Sequence, residues 1–203
     1  MSRISRCAGL CAAAALALSA CSNGDHAGAA TTGPGATSIT PPAPVTTTAA
    51  ATGPGVFGPG CDGFRGRLAA MAGLPVVRAA AASGLLGGWV EAVGAANLAD
   101  PFDAAPDVTV FAPVDEAFAA AGLSARRVPV LNYHVLYQRF DAAGLERAGG
   151  AGTRDSGGGP LGFGGSGGTL TVNGVPVLCG NIPTKNATLF VIGKVLTPGT
   201  NSG

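Results

Sequence analysis

Cysteine and histidine are the side chains best suited to nucleophilic, redox or metal chemistry, and this chain holds few of them. Cysteines stand at positions 7, 11, 21, 61 and 179, and histidines at 26 and 134. Cys61 and Cys179 lie more than 100 residues apart. In an exported domain two such thiols most simply form one disulfide, and the chain-entropy model gives about 4–5 kcal/mol for a loop of that length. A metal site on this pair is the alternative, weakened because only His134 accompanies them. As a catalyst His134 lacks a partner, for there is no Gly-x-Ser-x-Gly sequence and the two cysteines serve better as a bridge. Tyr133, His134 and Val135 are therefore read as a group that either packs or binds, with packing favoured.

Other constellations carry less. Gly162 to Gly167 fits the spacing G-x-G-x-x-G, but a strand is expected after it and no helix, so it lacks the context for cradling a phosphate. Asp100, Asp103 and Asp107 do not have the spacing of a calcium loop and read as a solvated acidic loop. Asp115 and Glu116 are adjacent and diverge on a helix, so they are no acid–base pair. Asn186-Ala187-Thr188 matches a glycosylation sequon and is expected in a turn. No cofactor is expected.

Cys21 has a different setting. Arg3 and Arg6 form a basic head, residues 7–17 are uncharged and apolar, and Leu18-Ser19-Ala20 lead into Cys21. Basic head, apolar centre and small-residue exit make a secretory signal. The run falls short of the roughly 20 apolar residues that span a bilayer. Leu18 to Cys21 resembles the bacterial lipobox, in which the cysteine thiol is joined to a diacylglycerol and becomes the first residue of the mature chain. That resemblance implies lipidation at Cys21 after removal of residues 1–20. Two acyl chains suffice for stable mooring, since each buried CH₂ contributes about 0.8 kcal/mol. The expected place is the outer face of the cell membrane.

Residues 27–60 contain no charged side chain and are mostly Ala, Gly, Thr and Pro. Such a segment buries too little apolar surface to offset its ordering entropy. With Cys21 it reads as a tether over 21–60, reaching roughly 30–35 Å on average as a coil of about 35 residues. The rest, 61–203, is the size of one domain. Its acidic and basic residues balance, ten of each. No basic field exists to attract nucleic acid.

The elements that must position Cys61, His134 and Cys179 follow from pattern. Asp62 is expected to cap a helix over 63–71, and Pro75 to open another over 75–82. Leu85, Leu86, Trp89, Val90 and Val93 recur at helical spacing, with Asn97 as the stop. "DVTVFAP" reads as a strand ended by Pro113, and Asp115 and Glu116 as the first turn of a helix. Ser124 is expected to cap a short helix, "NYHVLY" (132–137) to be a second strand, and Asp141 to cap a helix to Ala148. Residues 149–168, rich in glycine, read as a mobile loop. Asn173-Gly174 marks a hairpin, and "ATLFVIGKVL" a strand buried on both faces. Helices first and strands later favour α+β.

Three stretches carry a family resemblance. "TVFAPVDEAF" (109–118), "YHV" (133–135) and "LTVNGVPVLCGNIPTKNATLFVIGKVLTP" (170–198) look like the motifs of a fasciclin domain, in the family's order. With the lipobox, the tether and the Cys61/Cys179 pair, the chain resembles fasciclin-domain surface lipoproteins of mycobacteria and related actinobacteria. In those relatives a disulfide likewise ties the domain's start to its strands. The resemblance implies an α+β wedge, a seven-stranded two-sheet sandwich flanked by short helices. It also implies a non-enzymatic activity of contact, with extracellular matrix or cell-envelope proteins as partners. The alternative is a surface receptor for a small apolar ligand or lipid, held in a groove between helices and sandwich. Two departures bear on binding loops rather than on the core: a shortened stretch between Phe118 and His134, and the glycine-rich 149–168. Oligomeric state is left open.

Overall fold

The computed structural model describes residues 55–165 and 169–199. Cys21, the expected signal over 1–20 and the expected tether as far as residue 54 lie outside them.

Five short helices come first: α1 (Asp62–Arg65), α2 (Leu68–Ala72), α3 (Val76–Ser83), α4 (Gly87–Ala95) and α5 (Ala99–Ala104). β1 (Val108–Pro113) leads into α6 (Asp115–Ala121), a 3-10 turn (Gly122–Arg126), α7 (Val128–Tyr133) and β2 (Val135–Leu136). Then come α8 (Ala142–Ala148), β3 (Gly150–Ala151), β4 (Leu161–Gly164), β5 (Thr171–Val172), β6 (Val175–Pro183) and β7 (Ala187–Ile192).

Short helices need outside help, because four amides at each start have no internal partner. Here much of the help comes from far along the chain. The first-turn amides of α3 donate to Asn186 Oδ1 (Val76 N, 2.9 Å) and Asp103 Oδ1 (Val77 N, 2.7 Å). In α4, Gly88 N donates to Asp115 Oδ1 at 2.8 Å. Only α8 is capped as its sequence predicts, with Asp141 Oδ1 accepting from Gly144 N at 2.6 Å. Asp62, expected as a cap, is instead the first residue of α1 and pairs with Arg65. Pro75 stands one place before its expected position, as the cap residue of α3. Asn97 follows the end of α4 with φ 56°, the left-handed geometry of a helix stop.

The seven strands form one hydrogen-bonded series, β2-β1-β7-β6-β5-β4-β3. Second and third in it stand the parallel pair β1·β7, in register from Val108–Ala187 to Pro113–Ile192. Both strands are buried along their whole length, as expected for a pair covered on two faces. Alternation then assigns the residues. Val108, Val110, Ala112, Ala187, Leu189 and Val191 join a core with Trp89, Phe102 and the other helix residues. Phe111, Phe190 and Ile192 face the opposite way, into a second core with Leu136, Leu145, Leu161, Leu170, Val172 and Val177.

The series folds over itself to make two layers. Phe163 of β4 meets Phe111 of β1 at 6.0 Å between ring centroids, although three strands separate β4 from β1 in the hydrogen-bonded order. The bend falls in β6, where the register against β7 shifts between Val177 and Cys179 and again before Ile182. The two ends also approach: Leu136 bridges Thr153, and Arg154 N donates to Val135 O at 2.8 Å. That contact covers the edge of β2, where open backbone groups would invite strand pairing. The architecture is therefore α+β, with seven strands and flanking helices.

Several expectations are corrected. Residues 132–137 are not one strand: α7 runs to Tyr133 and only Val135–Leu136 are extended. Pro129 in its first turn starts the helix, which the β-branched and aromatic composition of the stretch had masked. The glycine-rich 149–168 is not simply a loop, since it contains β3 and β4, with Leu161 fully buried; residues 166–168 lie outside the described set. Ser124 caps no α-helix. It sits inside the 3-10 turn, where its hydroxyl donates to Ala121 O at 2.6 Å. Asp100 and Asp103 belong to α5, not to an acidic loop. Asp103 caps α3 and meets Arg78 at 3.5 Å, while Asp107 meets Arg139 at 3.7 Å.

Candidate functional site

His134 sits where three parts of the domain converge. It ends α7, its carbonyl accepts from Phe111 N of β1 at 2.9 Å, and its ring lies against the segment that follows β7. Both ring nitrogens are engaged. Leu196 N, which can only donate, reaches Nε2 at 3.0 Å, so Nε2 is the unprotonated acceptor. Nδ1 therefore carries the hydrogen and donates to Val130 O at 2.7 Å. The residue is 1% exposed. Burial lowers the imidazole pKa from 6.5 to about 4, opposed in part by the Val130 carbonyl, which favours the protonated ring. At neutral pH the ring is uncharged and fixed in one tautomer.

Its neighbours diverge. Tyr133 enters the core between the sheet layers, where its hydroxyl accepts from Asn173 Nδ2 at 3.2 Å. Val135 enters the helix-side core. All three residues are buried, so a partner cannot reach their side chains without opening the domain.

What reaches the surface beside His134 is a groove of about 480 Å³. Ala117, Ala120 and Ala121 of α6 and Val130 of α7 line it opposite Gly193, Val195 and Thr197, with the exposed Glu116 and Lys194 at its rim. His134 ties the two walls together, one nitrogen to Val130 and the other to Leu196.

Cys61 and Cys179 are joined in a disulfide, with Cα atoms 4.8 Å apart and a sequence separation of 118. A metal site on this pair is thereby replaced by the bridge. Both cysteines are buried. Around them the chain pairs with β6 like an added strand: Gly60 N donates to Leu178 O at 2.8 Å and Gly180 N to Phe57 O at 2.8 Å. Glycine at 180 lets this approach happen, because a Cβ would come to 2.5 Å from the Phe57 ring and displace it. Val56 and Phe57 pack on the two cores, so the packed region reaches back beyond Cys61.

Sequence reasoning missed the side chains that tie distant elements together. Asn186 lies in the expected turn between β6 and β7, but its amide is consumed by the fold. Oδ1 accepts from Val76 N, and Nδ2 donates to Phe102 O (2.9 Å) and Ala105 O (2.8 Å). As a sequon its nitrogen is therefore engaged. Arg139 donates to Thr184 O and Ala187 O at 2.7 and 2.6 Å, fastening the segment after β2 to the β6–β7 turn. Nothing local in the sequence marks either residue. Among the described residues, no group of three or more His, Cys, Asp and Glu side chains is placed to hold a metal ion. No described helix is long and apolar enough to cross a membrane.

Comparison with known proteins gives three results. No curated protein matches the chain. Among solved structures, a FAS1 domain pair from the insect cell adhesion molecule fasciclin I is similar at a TM-score of 0.48 and 19% identity. The match covers 58% of this chain and 46% of that one, so the chain spans about half the length of the solved relative. The family model of the fasciclin domain matches residues 86–198, which include β1, His134, Cys179 and β7, and the chain belongs to the fasciclin-domain family.

Proposed function

We propose that this is an exported protein of the actinobacterial lipoprotein type, moored by lipid on Cys21 to the outer face of the membrane. Residues 1–20 are its signal and 21–60 its tether, whose last residues, from Val56 to Gly60, pack on the domain. The domain over 61–203 acts by contact, in adhesion to extracellular matrix components or to proteins of the cell envelope. The observation that carries export is the buried Cys61–Cys179 bridge, since such bonds persist in oxidising compartments and are rare where thiols are kept reduced. Membership of the fasciclin family supplies the contact. His134 supports a non-catalytic reading: both its nitrogens are spent on backbone groups, leaving no ring atom to exchange a proton with a substrate.

Labelled palmitate fed to producing cells should enter the full chain and not a Cys21→Ser variant, which should be shed or left unprocessed. Cells displaying the chain should adhere to immobilised matrix or envelope proteins, and cells lacking it should not. A Cys21→Ser protein still membrane-bound at mature size would sink the anchor, and equal adhesion with and without the chain would sink the contact.

The groove beside His134 favours a second reading, a receptor for a small apolar ligand, because alanine and valine side chains make up much of its lining. Native mass spectrometry of the protein from its own cells separates the two: a retained small molecule supports the receptor.

A further inference from the structure

We infer that Arg154 and Tyr137 form a contact spot for a carboxylate of a protein partner. The inference rests on the contact reading above and says where one contact is made. The Arg154 guanidinium lies over two rings, 5.7 Å from the centroid of Phe102 and 5.4 Å from that of Tyr137. Phe102 is fully buried and fixes the inner side. Tyr137 is 67% exposed and forms the outer side. The backbone beneath is held as well, by Arg154 N on Val135 O and the bridge between Thr153 and Leu136.

Held against these rings, the cation keeps its N–H groups, and none of the described residues accepts from them. The adjacent Asp155 makes no ion pair with it: its Oδ1 accepts instead from Gly157 N at 3.4 Å. Arg65, Arg78, Arg126 and Arg139 behave differently, each meeting a carboxylate of this same chain. A guanidinium presents its donors in a fixed fork that matches the two oxygens of a carboxylate. Held against two rings, it has given up rotamer freedom before a partner arrives, which lowers the cost of binding. Exposed tyrosine beside arginine is the composition of interface hot spots. The matching group is an Asp or Glu side chain or a chain's terminal carboxylate.

The test uses the purified full chain on a sensor surface, with poly-L-glutamate as probe and dextran sulfate as the sulfated comparison. The wild-type chain should bind poly-L-glutamate. Arg154→Met, which keeps cover over Phe102, and Tyr137→Ala, at an exposed position, should each weaken binding about tenfold. Arg154→Lys should weaken it as well, because an ammonium lacks the fork. Arg127→Met should bind as wild type does, and unchanged melting temperatures exclude unfolding as the cause. No wild-type binding, or wild-type affinity in Arg154→Met, would overturn the inference. Dextran sulfate binding that depends on Arg154 as strongly would also overturn it, in favour of a general anion site. Adhesion of displaying cells is read separately. Adhesion unchanged by Arg154→Met sinks the spot and leaves the contact function standing, whereas absent adhesion in wild type sinks the function itself.

Discussion

The helices before residue 86 and the sheet body after it are held by different means. The body is built on ladders in register, β1 with β7 and β7 with β6, and on alternating side chains that fill two cores. The amino-terminal part, α1 to α3, has three helices of four, five and eight residues, each too short to stand alone. Long-range ties fasten it to the body: the Cys61–Cys179 bridge and the amide of Asn186. The match to the family begins at residue 86, so the leading helices lie outside it. α1 to α3 also bury Phe64, Met71, Val76 and Val77 in the helix-side core, so what sets them apart is that these ties, and not ladders in register, supplement their packing.

Breaking the largest tie should separate the two regions most. Cys179→Ser, or reduction, should cost about 4–5 kcal/mol by the chain-entropy model for a loop of this length. Amide exchange should accelerate first in α1 to α3, and equal acceleration in β1 and β7 would erase the distinction.

Inside the body, His134 provides a titration test. Its folded pKa is about 4 against 6.5 unfolded, so the unfolded chain takes up the proton first as pH falls. The stabilisation is complete above pH 6.5 and is lost on descending towards pH 4, amounting to roughly 3 kcal/mol overall and about 2 kcal/mol by pH 5. Urea unfolding at pH 7 and pH 5 should show this decline, and His134→Gln should flatten it. A slope identical in the variant would assign the acid sensitivity to other groups.

Asn186→Ala orphans Val76 N and two carbonyls at the end of α5, and should cost about 2–3 kcal/mol. The loss should appear as exchange in α3 and α5. Asp141→Ala removes a cap that lies wholly within the body, and should cost about 1 kcal/mol, confined to α8. A larger loss for Asp141 than for Asn186 would reverse the ranking of local against long-range ties.

The pattern of the chain made the body legible where one element's residues decide its own state. Val108 to Pro113 and Ala187 to Ile192 read as buried strands because β-branched and aromatic residues run together there. Asn173-Gly174 read as a hairpin turn, and both residues take positive φ, 48° and 74°. Asp141 read as a cap because its partner lies three residues away. The site was half legible. A bridge between Cys61 and Cys179 followed from counting, and packing was the favoured role of His134. Its partners Val130 and Leu196 did not follow, since one is four residues away and the other 62.

Local chemistry thus determined, by sequence alone, the strands β1 and β7, the Asn173-Gly174 turn, the Asp141 cap, the α+β class and the candidate bridge, because propensity, alternation and turn geometry act over a few residues. Tertiary structure alone decided which side chains serve distant backbones: Asn186 on α3, Asp115 on α4, and Leu196 on the His134 ring. It likewise set Arg154 over the rings of Phe102 and Tyr137 without an acceptor among the described residues. Such pairings depend on where the folded chain returns in space. A hydrogen bond or a ring contact is satisfied by proximity, and proximity across 27 to 110 residues is set by the whole packing rather than by any local pattern.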